Sequence, residues 1–106
     1  MLAPFQLDNL LRQKVPFLLL QDPSKESVSI LNPHYLEKVK IVEVGKMEAT
    51  VDEVSIDKHH PAILVSQPEK RVHKVANSLI DNGYVNVYVL EGGLIALIEH
   101  YKQMIS

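Results

Sequence analysis

Pro61-Ala62-Ile63-Leu64-Val65-Ser66 decides the fold. Four apolar residues run without polar alternation, entered through a proline and closed by a hydroxyl. A strand half in water alternates; one covered on both faces does not, so Ala62–Val65 reads as a buried strand of a parallel sheet. A loop, Ser66 to Lys70, follows. Val72, Val75, Ala76, Leu79 and Ile80 then recur at i, i+3, i+4, i+7 and i+8, the stripe of a helix lying on a core. Asn82-Gly83 ends that helix, with Gly83 suited to the left-handed position after the last turn. Val85 to Leu90 is a further strand, broken by Gly92-Gly93. Leu94, Leu97, Ile98, Tyr101 and Ile105 form a last helical stripe. Strand, helix, strand, helix in this order is a right-handed crossover unit.

Working outward, Val15 to Leu20 is a second continuous apolar run, closed by the turn residues Gln21-Asp22-Pro23-Ser24. Before it, Phe5 to Lys14 carries Leu7, Leu10 and Leu11 at helical spacing, with Asp8 well placed near the positive helix start. Asn32-Pro33 reads as a cap followed by proline at the first helical position, opening a short helix through Val39. Ile41 to Val44 reads as a short strand. Gly45 to His60 is polar, with one weak helix around Glu48 to Val54. The chain is thus expected to be one α/β domain, residues 1–106, with helices on both faces of a mostly parallel sheet of about four or five strands.

Composition narrows the function classes. The 106 residues are 46% hydrophobic and 23% charged, an ordinary globular balance for one core. A net charge of −2 gives no basic field for nucleic acid or anionic membranes. No apolar run approaches the roughly 20 residues that span a bilayer. Met1-Leu2-Ala3-Pro4 lacks the basic start of a signal peptide. The cytoplasm is the expected compartment by elimination, as monomer or homodimer. The absence of cysteine excludes a thiolate nucleophile and any Cys-based metal site. No cofactor is expected.

In a parallel α/β sheet, ligands sit at the carboxyl ends of the strands. The segment Ser66-Gln67-Pro68-Glu69-Lys70-Arg71 leaves such an end and runs into a helix start, which favours anions. Here the order of motifs resembles the second half of a rhodanese domain, the sulfurtransferase family. The carrying residues are Pro61 to Ser66, Arg71, Val75-Ala76, Leu79, Gly83-Tyr84, Asn86-Val87-Tyr88, Leu90 and Gly92-Gly93. The match covers roughly Pro61 to Tyr101; Pro16 to Leu20 resembles the family's first buried strand weakly. The resemblance implies a small three-layer rhodanese-like fold. It also implies that Ser66 occupies the position of the catalytic Cys in a Cys-x-x-Gly-x-Arg loop.

The departures carry the functional reading. A hydroxyl cannot carry the sulfane sulfur that a rhodanese Cys takes as a persulfide, and it is a far poorer nucleophile than a thiolate. Glu69 stands at the loop glycine, where a positive φ would strain it, and brings negative charge to an anion cradle. Pro68 removes one loop N–H. Val72 replaces a small hydroxyl residue. Gln21 and Pro23 stand where Asp-x-Arg commonly ends the first strand, and the His-Ile-Pro-Gly-Ala type segment before Ile41 is missing. A non-catalytic binding or regulatory module is therefore expected. It would carry a residual anion site at Ser66, Gln67, Glu69, Lys70 and Arg71, and its partner would be a protein or a small anion. The alternative is an enzyme: a thiosulfate sulfurtransferase without its Cys, or a hydrolase on Ser66 with His73 as base. No Gly-x-Ser-x-Gly elbow supports the hydrolase, and His73 is expected to face solvent. An intact cradle would aim its N–H groups at one point with Arg71 folded over it.

The remaining candidates read as structural. His59-His60 are adjacent on an extended segment and point apart, so they make no metal pair. His34 and His100 are isolated. Gly92-Gly93 lacks a Walker or Gly-x-Gly-x-x-Gly context and reads as a tight strand-to-helix turn. Tyr84 and Tyr88 read as packing residues with wet hydroxyls.

Overall fold

A computed structural model describes residues 1–23, 33–54 and 57–105. In chain order the elements are α1 (Pro4–Arg12), β1 (Leu18–Gln21), α2 (Pro33–Lys38), β2 (Val39–Ile41), α3 (Val44–Val54), β3 (Ala62–Val65), a 3-10 turn (Glu69–Val72), α4 (His73–Asp81), β4 (Val87–Val89) and α5 (Gly93–Ile105). The four strands form one parallel sheet in the order β2-β1-β3-β4. Leu2 adds an isolated parallel bridge to Leu90 beyond β4. The fold is the expected α/β arrangement.

Strand periodicity splits the core in two. Successive side chains of a strand point to opposite faces. Leu19, Ile63 and Val65 pack on one face with Leu7 and Leu11 of α1, Tyr35 of α2 and Leu94, Leu97 and Tyr101 of α5. Leu18, Leu20, Ala62 and Leu64 pack on the other with Met47 and Val51 of α3 and Ala76 and Leu79 of α4. All four residues of β1 and of β3 are buried. Continuous apolar runs were thus correctly diagnostic of strands covered twice.

Four local expectations shift. The strand read at Ile41–Val44 is Val39–Ile41, because Val39, Lys40 and Ile41 register with Leu19, Leu20 and Gln21; Val44 already opens α3. The helix stripe starting at Val72 splits into the 3-10 turn and α4, and Ile80 faces solvent at 52% exposure. Asp8 is no surface dipole residue: it is buried, accepts a hydrogen bond from Tyr101 Oη at 2.7 Å and pairs with Arg12 at 2.7 Å. Tyr84 is buried with its hydroxyl donating to Asp52 at 2.6 Å rather than to water, whereas Tyr88 is exposed. Ser24 and the expected cap Asn32 lie outside the described residues.

Candidate functional site: the loop after β3

The loop leaves the carboxyl end of β3 and is pinned against two neighbours. On one side is β1, whose exit is held by the Asp22 N–H donating to the Val65 carbonyl at 2.9 Å. On the other is the start of α5. There the chain turns through Gly92 at φ 78° and Gly93 at φ 67°, a region that favours glycine. A Cβ on Gly93 would collide with the Ser66 carbonyl oxygen and lie 2.7 Å from Gln67 Oε1. The Gly-Gly pair is therefore a close-approach turn, as the sequence implied.

That turn creates a demand. The first N–H groups of a helix lack partners within it, and two glycines have no side chain with which to cap them. The caps come instead from the loop. Glu69 Oε1 accepts from the Gly92 N–H at 2.7 Å, and Gln67 Oε1 accepts from the Ile95 N–H at 3.2 Å. The second Glu69 oxygen accepts from His73 Nε2 at 2.7 Å, one turn along the chain. The loop thus spends its own carboxylate and amide on N–H groups that a free anion would otherwise meet. The missing helix cap at Gly92-Gly93 is the sequence signal that points to this arrangement.

Each site residue can now be placed. Ser66 is 1% exposed, and its hydroxyl has no hydrogen-bond partner among the described residues. No described N–H donates to it. His73 is exposed, as expected, but its imidazole is taken by Glu69 and is not a base for Ser66. Arg71 does not fold over the loop: its guanidinium reaches Asp22 Oδ2 at 3.4 Å. Lys70 is exposed and Gln67 half-buried. Glu69 escapes the strain expected at a glycine position. It sits in the 3-10 turn, and Lys14 is the one positive-φ non-glycine among the described residues. Val72, a departure in the sequence, is fully buried beneath α4.

Elsewhere, no group of three His, Asp or Glu able to hold a metal occurs among the described residues. No helix among them is long and apolar enough to cross a membrane.

No family sequence model and no curated protein sequence matches the chain. Solved structures do. A rhodanese-like domain protein from Staphylococcus aureus superposes with TM-score 0.66 at 20% identity, over 91% of this chain and 88% of its own. A thiosulfate sulfurtransferase from Pseudomonas aeruginosa gives TM-score 0.71 at 17% identity, over 92% of this chain but 18% of its own. A polysulfide-sulfur transferase homodimer from Wolinella succinogenes gives TM-score 0.68 at 18% identity, over 94% and 74%. The fold is rhodanese-like.

Proposed function

We propose that the chain is a single rhodanese-like domain that binds rather than turns over, a non-catalytic binding or regulatory module. Its partner is a protein or a small anion approaching the loop Ser66–Arg71, where Lys70 and Arg71 are the exposed cations. The observation that carries this reading is the Glu69 carboxylate seated on the Gly92 N–H. A side chain that already neutralises the helix start leaves no cradle for a transferring sulfur. The lack of any cysteine supports the same reading, as does the Arg71 guanidinium turned to Asp22. A Ser66 hydrolase is disfavoured by a buried hydroxyl with no base bonded to it among the described residues.

The test is a thiosulfate:cyanide sulfur-transfer assay on the natural chain beside Ser66→Cys. Neither is expected to turn over, because the new thiol would still sit beside Pro68 and a Glu69-capped α5. Turnover by the natural chain overturns the non-catalytic reading. Turnover by S66C alone shows that the loop remains competent, and overturns the claim that Glu69 closes it.

A further inference from the structure

The amino ends of β1 and β3 form the end of the sheet opposite the loop. α1 runs out there through Lys14 at φ 55°, and the Val15 N–H reaches back to the Leu10 carbonyl at 3.3 Å. Two concavities open at this end, and both are walled by Leu10, Val15 and Phe17. One, of about 460 Å3, continues over Leu2, Pro61, Ile63 and Tyr88. The other, of about 420 Å3, ends in a charged rim of Lys14, Lys38, His34 and Glu37. Each volume falls in the roughly 300–1,000 Å3 range of small-molecule sites.

The charge on that rim is unbalanced. Glu37 is its one carboxylate among the described residues, and it lies 4.0 Å from His34 Nδ1. Lys14 and Lys38 make no ion pair with any described residue. Lys38 Nζ instead stands 4.3 Å from the centre of the Phe17 ring, which lines both concavities. An ammonium laid over an aromatic face is partly stripped of water, and burial holds Lys38 below the usual lysine pKa. Apolar walls leading to two cations without carboxylate partners among the described residues complement one ligand chemistry: an apolar body bearing a single acid group.

We infer that this trough binds a small amphiphilic carboxylate, with its apolar body against Leu10, Val15 and Phe17 and its carboxylate at Lys14 and Lys38. The site lies away from the loop and stands whether or not the loop is catalytic.

The probe is dodecanoate, titrated below its micelle concentration into the 15N-labelled chain. Saturable amide shifts are expected at Leu10, Lys14, Val15 and Phe17, with Glu69 and Gly92 unmoved. The Lys14→Ala/Lys38→Ala double variant removes both charges, and with Lys38 its contact on the Phe17 ring, and should bind about tenfold more weakly, the equivalent of ~1.4 kcal/mol. Dodecyltrimethylammonium, with the same tail and the opposite charge, should bind the natural chain more weakly still. Absence of a saturable shift, equal affinity for the two amphiphiles, or shifts centred on the loop would overturn the inference. So would light scattering showing a dimer in which the same amides are already protected, since a second copy would then be the occupant.

Discussion

The carboxylate of Glu69 lies 2.7 Å from the backbone nitrogen of Gly92, across 23 residues of sequence. The loop after β3 is therefore fastened to the start of the last helix by its own side chain. Replacing Glu69 with Ala leaves the Gly92 N–H and His73 Nε2 without their acceptor and should cost about 1–2 kcal/mol. Glu69→Gln keeps a carbonyl oxygen for Gly92 and should cost less than half of that. Urea denaturation midpoints measure both, and amide exchange at Gly92 should quicken in the alanine variant alone.

Glycine positions should separate sharply. Gly93→Ala places a Cβ against the Ser66 carbonyl at φ 67° and should destabilise by about 2–4 kcal/mol. Gly45, within α3, has nothing within 4 Å of an added Cβ and no positive φ. Gly45→Ala should therefore stabilise by about 0.5–1 kcal/mol. Thermal melts of the two variants should move in opposite directions, and a shared direction contradicts this account of the Gly92-Gly93 turn.

Tyr35 carries a pH dependence. Its hydroxyl donates to Gln21 Oε1 at 2.6 Å with both residues buried. Burial first, and then the neighbouring Tyr101, hold its pKa well above the ordinary phenol value. The unfolded chain gives up this proton more readily than the folded one. Stability is therefore intact below about pH 10, the ordinary value, and is lost as pH rises beyond it. Tyr35→Phe should cost about 1–3 kcal/mol at pH 8, by stranding the Gln21 oxygen. The gap between natural chain and variant should narrow in denaturation curves taken at successively higher pH above 10.

Arg71 is the counter-case. Its bond to Asp22 is long, at 3.4 Å, and the Arg side chain is 56% exposed. Arg71→Ala should change stability by less than about 1 kcal/mol. A loss of several kcal/mol in urea denaturation would show Arg71 to be a clamp between loop and β1 rather than a surface cation.

The legible parts of the chain were those with a strong local signal. β3 falls on Ala62–Val65 as read, and the buried β1 overlaps the apolar run before Gln21. Gly83 takes its left-handed turn at φ 94°. The weak helix read around Glu48 to Val54 is present, but it begins earlier, as the eleven-residue α3 from Val44 to Val54, because Met47 and Val51 seat it on the core. β2 was misplaced for a related reason. It is short and poorly buried, so its position depends on pairing with β1, which hydrophobic pattern does not encode.

Period, turn chemistry and the absence of a thiol act over a few residues or none, so the chain alone was sufficient for a doubly covered parallel sheet and for a loop unable to carry a persulfide. The use of that loop depended on distance in space. Glu69 read as a misfit at a glycine; the fold makes it a cap, because two glycines lead into α5 and the acceptor for the Gly92 N–H comes from the 3-10 turn after β3. The lysine-rimmed trough likewise exists only where α1, α2 and the strand entries meet. Long-range placement of single side chains leaves no trace in a local pattern, and only the fold shows Ser66 buried, with no partner for its hydroxyl among the described residues.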